Sequence, residues 1–209
     1  MARILVLAGV NGAGKSSLLG AMLREDGAEW FNPDAFTRGL IERGWTSPEA
    51  NAEAWHEGRR RLERAIADDT DFAFETTLGG NTIPALLRQA CARHEVIVWF
   101  CGLEGVALHL QRVAARVARG GHDIPEAKIR QRYIASRTNL IDLLPELSAL
   151  RLYDNSTPAN ARGEVTPLLV LDMDARGLHC PVTREAFEQV PDWAKPIVVS
   201  AMDAHARSP

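Results

Sequence analysis

Residues 4–19, ILVLAGVNGAGKSSLL, constrain this chain more than any other stretch. An apolar run of strand-forming residues, Ile4, Leu5, Val6 and Leu7, drives into Gly9-Val10-Asn11-Gly12-Ala13-Gly14-Lys15-Ser16. This is G-x-x-x-x-G-K-[ST], a phosphate-binding loop. It is followed by Ser17 and by apolar helix positions at Leu18, Leu19, Met22 and Leu23. Strand, loop, helix is the context in which that pattern binds a nucleoside triphosphate. Glycines let the backbone curl about a phosphate with no Cβ in the way. Successive N–H groups and the positive end of the new helix then face the anion. Lys15 is expected to reach the β and γ phosphates of ATP, and Ser16 to hold Mg²⁺.

Bulk properties narrow the partners. A chain of 209 residues suits one domain with a sizeable core that needs no staples. Its net charge of −3 argues against nucleic acid or an anionic membrane as the main partner. Cys91, Cys101 and Cys180 are scattered and form no C-x-x-C, so neither a zinc site nor a disulfide framework is signalled. No apolar run is long enough to span a bilayer, and the first one becomes a phosphate loop instead of a signal peptide. A cytoplasmic location is expected.

Strand one is expected over 3–8 and its helix over 14–24, closed by Glu25-Asp26-Gly27. A short strand, Glu29-Trp30-Phe31, should stop at Asn32-Pro33-Asp34, because proline cannot donate to a ladder. Asp34 then sits at a strand's carboxyl end, the edge where open α/β sheets bind ligands. Thr46-Ser47-Pro48-Glu49 starts a helix with Ser47 as its cap, running to about Ala67. Its Arg59, Arg60, Arg61 and Arg64 read as a solvated face. Residues 72–78 form a strand with Glu75, Thr76 and Thr77 at its exit. Gly79-Gly80-Asn81 opens a loop, and a helix runs from Pro84 to near His94. Residues 95–101 read as a central parallel strand.

The next helix, about 105–119, places Val106, Leu110, Val113 and Val117 on one face and His109, Arg112, Arg116 and Arg119 on an adjacent stripe. Gly120-Gly121-His122 ends it, with His122 at an exposed tip. A following helix has Asp123 as cap and Pro125 in its first turn, and it aligns Arg132, Ser136 and Asn139. Between residues 112 and 132 stand six basic residues and two acids, a local charge of +4 in a chain of net −3. The pair reads either as a lid closing over phosphates or as an exposed, salt-bridged hairpin; its position after the central strand favours the lid. Strands are expected over 151–154 and 168–172, with a return strand over 178–180. Thr183–Val190 is helical, and the last helix begins at Pro191.

Transporter-type ATPases share the loop pattern, but this chain has no Leu-Ser-Gly-Gly-Gln and no apolar run ending in Asp-Glu. A hydrolytic ATPase or switch is therefore the second reading, a kinase acting on nucleic-acid ends the third, and a small-molecule kinase the first. A kinase needs a base near the acceptor hydroxyl and a lid that excludes water. Asp34 is a base or the cap of a turn. Glu75 is an acceptor-site acid or one that supports the metal. Tyr133 and Tyr153 read as core.

Several motifs taken together resemble the zeta-toxin family of bacterial kinases, in its short single-domain branch. They are Gly9–Ser16, Asn32-Pro33-Asp34, Phe74-Glu75-Thr76-Thr77-Leu78, Arg112-Val113 with Arg116-Val117, Gly120-Gly121-His122-x-Ile124-Pro125, Arg132-Tyr133 with Ser136 and Asn139-Leu140, and Tyr153-Asp154-Asn155-Ser156. Pro191-Asp192-Trp193-Ala194-Lys195-Pro196 resembles that branch's tail. The resemblance spans nearly the whole chain, and Glu-Thr-Thr-Leu with the Gly-Gly-His segment carries most of it.

The resemblance implies an α/β, P-loop three-layer sandwich with a central, mostly parallel sheet, similar to the nucleoside kinases. It implies one kinase domain over 1–209, a helical lid at about 105–140 and a C-terminal strand and helix extension at about 168–209. It implies an ATP-dependent phosphotransferase; zeta toxins phosphorylate the sugar 3′-hydroxyl of UDP-N-acetylglucosamine. By position, Gly9, Asn11, Gly12, Ala13, Gly14, Lys15, Ser16 and Ser17 bind ATP, with Mg²⁺ on Ser16. Asp34 matches the catalytic base, and Glu75 and Thr77 match the acceptor site. Arg116 and Arg132 match the lid arginines, with Arg119 beside them, and Asn155 matches the loop near the adenine. Ala135 departs from the family, where relatives often carry another arginine. An antitoxin is a candidate partner, against which the start of strand one at about residue 3 argues.

Overall fold

β1 (Ala2–Ala8) sends alternate side chains to opposite faces. Ile4, Val6 and Ala8 enter one apolar cluster, while Leu7 enters another with Leu5 packed beside it. The structure is a computed structural model that describes residues 1–20, 29–121, 123–158 and 165–206. Met22, Leu23, the expected Glu25-Asp26-Gly27 stop, His122 and the side chains of Leu18 and Leu19 lie outside the described residues.

Six strands form one sheet in the order β2-β1-β3-β4-β5-β6. β2 (Phe72–Thr76), β1, β3 (His94–Gly102) and β4 (Ala149–Asp154) run parallel. β5 (Leu168–Asp174) and β6 (Gly177–Cys180) close the sheet antiparallel, so the return strand forms as expected. β1 lies between β2 and β3, so the chain changes direction of growth at β1. Parallel sheets bind ligands outside the carboxyl ends of the strands at such a point. The register sets Leu7 opposite Glu75 and Ala8 opposite both Thr76 and Phe100, so the ends of three strands reach the phosphate loop together.

One face of the sheet is covered by α3 (Ser47–Asp68), α4 (Thr82–Cys91), α6 (Glu126–Leu143) and α8 (Lys195–Ala206). Leu62, Leu87, Leu140, Leu143, Ile197 and Val198 pack there against Val96, Val98, Leu150 and Leu152. Burying each of these side chains contributes about 1.5–3 kcal/mol before the entropy of ordering it. On the other face Leu7, Trp99, Cys101 and Tyr153 meet Ala13 of the loop, Trp30 and Leu108 of α5 (Gly105–Val117). A third cluster joins Val10 to Val113 and Ile129. With Val106, Leu110, Val117 and Tyr133 beside it, this cluster seats the α5–α6 pair on the loop.

Several local expectations need correction. The strand expected at 29–31 is a single bridge, Phe31 to Phe74. The Asn32-Pro33 step then starts α2 (Pro33–Glu42), with Asn32 capping the Ala35 amide. Asp34 thus sits in a first helical turn. The cap of α3 is Thr46, not Ser47; Thr46 and Glu49 form a capping box, which a cap one residue further on would break. α4 ends at Cys91, because His94 is taken into β3, where its Nε2 meets the Ala65 carbonyl. Pro125, not Asp123, stands at the cap position of α6; the Asp123 carboxylate accepts from the next amide, of Ile124. Pro191 opens a turn, and α8 proper begins at Lys195.

Candidate nucleotide and acceptor site

The loop between β1 and α1 (Lys15–Leu19) turns on three glycines at positive φ: Gly9 at 138°, Gly12 at 82° and Gly14 at 99°. A Cβ on Gly9 would lie 2.1 Å from the Cys101 carbonyl oxygen, so the loop's start can approach β3 only as glycine. Ala13 N donates to the Val10 carbonyl at 3.1 Å, closing the first turn. The Ala13 carbonyl accepts from Asn155 Nδ2 at 2.8 Å and from the Cys101 thiol at 3.1 Å. The Asn11 carbonyl accepts from His109 Nδ1 at 2.9 Å, and the Asn11 side-chain oxygen from Arg132 at 2.8 Å. Burial pushes the Cys101 thiol up to about 12, so it serves as a donor and not as a nucleophile.

Lys15 turns its ammonium back onto the Gly9 carbonyl at 2.8 Å and the Val10 carbonyl at 3.5 Å. Burial lowers its pKa, while the carboxylates of Glu75 and Asp34 oppose that shift. The two carboxylates favour the charged form of this ammonium against the cost of its burial.

Glu75, 7% exposed at the end of β2, is the centre of the site's polar network. Its Oε2 accepts from the Ser16 hydroxyl at 2.9 Å. Its Oε1 accepts from Trp30 Nε1 at 2.8 Å and from Asn32 Nδ2 at 3.0 Å, and Asn32 also reaches the Ser16 oxygen at 3.2 Å. Both carboxylate oxygens are therefore engaged within the chain. Ser16 and Glu75 bring a hydroxyl and a carboxylate together, hard oxygen donors that suit Mg²⁺ with the rest of its shell supplied by water and phosphate.

Asp34 stands opposite. Its side chain is 65% exposed, and its Oδ2 accepts from Arg116 Nη1 at 3.3 Å. Burial lowers the Arg132 pKa, and the Asp34 charge opposes this. Asp34, Arg116 and Arg132 thus converge from α2, α5 and α6. Arg119 does not join them: it lies exposed past the end of α5. Ser17 is likewise exposed on α1. Asn155 is 3% exposed, with its amide spent on the loop carbonyl.

A cavity of about 780 Å³ opens beside the loop. Its walls include Lys15, Asp34, Glu75, Thr77, Arg132 and, from α3, the half-exposed ring of Trp55. Asn139 Nδ2 holds the Leu78 and Gly80 carbonyls at 2.7 and 3.1 Å, which fixes the Gly79-Gly80 rim to α6.

Sequence reasoning missed three contributors. Trp30 read only as a strand residue. Asn32 read only as part of a motif. His109 read as a member of the arginine stripe, yet it is fully buried against the loop. A signal existed for His109: three residues from Val106 and four from Val113, it belongs to the buried stripe.

No protein-family model matches the chain, and no curated protein matches it. Solved structures do. The AvrRxo1-ORF1–ORF2 complex with ATP is similar with a TM-score of 0.66 at 17% identity, over 92% of this chain and 64% of that one. The same complex with sulphate ions gives 0.65 at 17% identity, over 92% and 64%. The PezAT chromosomal toxin–antitoxin system of Streptococcus pneumoniae gives 0.52 at 14% identity, over 79% and 69%. The chain thus spans 64% of the length of those two AvrRxo1 chains. At such identities the likeness shows the fold alone: an α/β sandwich with a mostly parallel central sheet, arranged as in those structures.

Proposed function

We propose that this chain is an ATP-dependent kinase. It moves the γ-phosphoryl group of ATP onto a hydroxyl of a small molecule, a nucleotide sugar such as UDP-N-acetylglucosamine. One observation carries the reading: Lys15 of the phosphate loop and the carboxylate of Asp34 line the same cavity. A switch ATPase needs no such acceptor space. The ATP held by the AvrRxo1-ORF1–ORF2 complex supports ATP as donor, and the resemblance to zeta toxins supports the acceptor class. The partner chains of AvrRxo1-ORF1 and of PezAT support an antitoxin-like partner as a second component.

In this reading residues 1–209 act as one kinase unit. The loop amides and Lys15 bind the phosphates, and Arg116 and Arg132 grip them from the lid helices α5 and α6. Ser16 and Glu75 would hold Mg²⁺, which when bound offsets phosphate charge. Asp34 accepts the proton of the acceptor hydroxyl as the new O–P bond forms, and the bond to the bridging oxygen breaks to release ADP. Arg116 orients Asp34 before the acceptor arrives. Thr77 meets the acceptor at the cavity wall. Glu75, with both oxygens already bonded, acts on the metal side and not on the acceptor.

The test is to incubate the protein with γ-labelled ATP and a panel of nucleotide sugars, free sugars, nucleotides and oligonucleotides. Label on a nucleotide sugar is the expected result. Label only in free phosphate would favour the switch reading, and label on oligonucleotide ends the nucleic-acid kinase.

A further inference from the structure

In a planar trans peptide the C=O and the N–H point in opposite directions. Whatever holds a carbonyl therefore aims the amide of the next residue. Two carbonyls of the phosphate loop are held in this way by buried side chains from distant elements. His109 Nδ1 holds the Asn11 carbonyl at 2.9 Å, and Asn155 Nδ2 holds the Ala13 carbonyl at 2.8 Å. The same two peptides carry the N–H groups of Gly12 and Gly14, at φ 82° and 99°. Both are trans, since the one cis bond among the described residues is Cys180–Pro181.

Each anchor is itself fixed. His109 is fully buried on α5 and meets the Tyr133 ring edge-on, with centroids 5.6 Å apart. A carbonyl can only accept, so Nδ1 carries the ring's proton. Burial pulls this imidazole down to about 4 against the opposing bond from Asn11, so near neutral pH the ring adds no charge beside Lys15. Asn155 donates its own N–H to the Gly102 carbonyl at 3.0 Å, and its carbonyl accepts from Arg112 Nη2 at 2.7 Å. The preceding Asp154 accepts from Trp193 Nε1 at 2.8 Å and from the Ser156 hydroxyl at 2.6 Å. Trp193 lies so close over Gly102 that a Cβ there would come within 2.2 Å of its ring. The loop is thus tied to the lid helix through His109 and to the β4 exit, with the C-terminal segment behind it, through Asn155. Neither anchor lines the large cavity.

We propose that His109 and Asn155 are positioning residues of the donor site: by holding the Asn11 and Ala13 carbonyls inward, they aim the Gly12 and Gly14 N–H groups at the phosphates of a bound triphosphate. An unheld peptide at either place can flip and present its carbonyl to the anion. Glycine at both following positions makes such a flip sterically easy, which is why the carbonyls need anchors. The inference rests on the ATP-binding half of the proposed function and on no acceptor.

The experiment measures ATP binding by calorimetry for the wild type and for His109→Leu, His109→Asn and Asn155→Asp. Each is studied below its unfolding transition. Leucine keeps bulk without a donor, asparagine restores a donor near the place of Nδ1, and aspartate keeps the shape of Asn155 without its donor. His109→Leu and Asn155→Asp should weaken ATP roughly tenfold to a hundredfold, the value of a hydrogen bond to a charged group. His109→Asn should recover most of the loss. Acceptor KM at saturating ATP should not change, and the amide resonances of Gly12 and Gly14 should shift in the weakened variants. Wild-type ATP affinity in folded His109→Leu or Asn155→Asp overturns the proposal, as does an equal loss in His109→Leu and His109→Asn. If His109→Leu does not fold, Asn155→Asp and His109→Asn decide alone. A wild type that binds ATP but labels no acceptor sinks the kinase reading and leaves this one standing; a wild type that binds no ATP sinks both.

Discussion

The Ser16 hydroxyl donates to Glu75 Oε2 at 2.9 Å across 59 residues of sequence, joining the phosphate loop to the end of β2. Trp30 and Asn32 hold the other oxygen of Glu75, so its carboxylate cannot turn away. Glu75→Gln keeps the shape but puts an NH₂ group where Ser16 now donates. The expected result is a loss of the Mg²⁺-dependent part of ATP affinity, roughly tenfold to a hundredfold, the cost of disturbing a group that orients a metal ligand. ATP binding with Mg²⁺ chelated should not change. Calorimetry with and without Mg²⁺ reads both.

Asp34 is exposed on its cavity side and braced by Arg116 on the other. Asp34→Asn removes the proton acceptor and keeps the shape of the helical turn. Phosphoryl transfer should fall by about 10²–10⁴, the usual contribution of a general base, with ATP affinity intact. An Asn variant as active as the wild type would remove Asp34 from this role.

The buried imidazole of His109 makes stability depend on pH in one direction. Its pKa in the folded chain is about 4, against 6.5 in the unfolded chain, and the nearby cations Lys15, Arg112 and Arg137 add to the effect of burial. Above 6.5 both states hold a neutral ring and nothing is lost. Between 6.5 and 4 the unfolded chain gains a proton that the folded chain refuses, so stability falls as pH falls. The loss from this residue amounts to about 3 kcal/mol at the acid end of the window. Thermal unfolding from pH 8 to pH 4 should therefore decline more steeply for the wild type than for His109→Asn. Parallel curves would contradict the assignment.

Gly9 and Gly39 form a matched pair for testing the loop's backbone. A Cβ at Gly9 meets the Cys101 carbonyl oxygen at 2.1 Å with φ at 138°, whereas one at Gly39, within α2, meets nothing within 4 Å. Gly9→Ala should destabilise by about 1–3 kcal/mol from backbone strain, with the clash added to it. Gly39→Ala should stabilise by roughly 0.5–1 kcal/mol, because it lowers the entropy lost by a helical residue. Denaturant titrations of the two variants give the comparison directly.

Much of the fold was legible because it is written locally. The apolar run before Gly9 specified β1, and Glu95–Cys101 specified the central strand. Val106, Leu110, Val113 and Val117 marked the buried face of α5. Boundaries failed where two local signals competed. Ser47 and Thr46 both cap helices, and only the reach of Glu49 decides for Thr46. His94 could end α4 or begin β3, and pairing with Ala2 decides for the strand.

By itself, the sequence determined that a G-x-x-x-x-G-K-S loop follows the first strand, that arginines gather on two later helices, and that Glu75 stands at a strand exit. These follow from spacing within windows of a few residues, where backbone propensity and side-chain periodicity act. Only the tertiary structure decided which of these groups meet. Glu75 turned out to serve Ser16, Arg116 to brace Asp34, and His109 and Asn155 to hold the loop from 98 and 142 residues away. Those pairings depend on the register of parallel strands, which brings the ends of β1, β2, β3 and β4 to one edge. Register is set by the packing of whole faces, and no local pattern contains it.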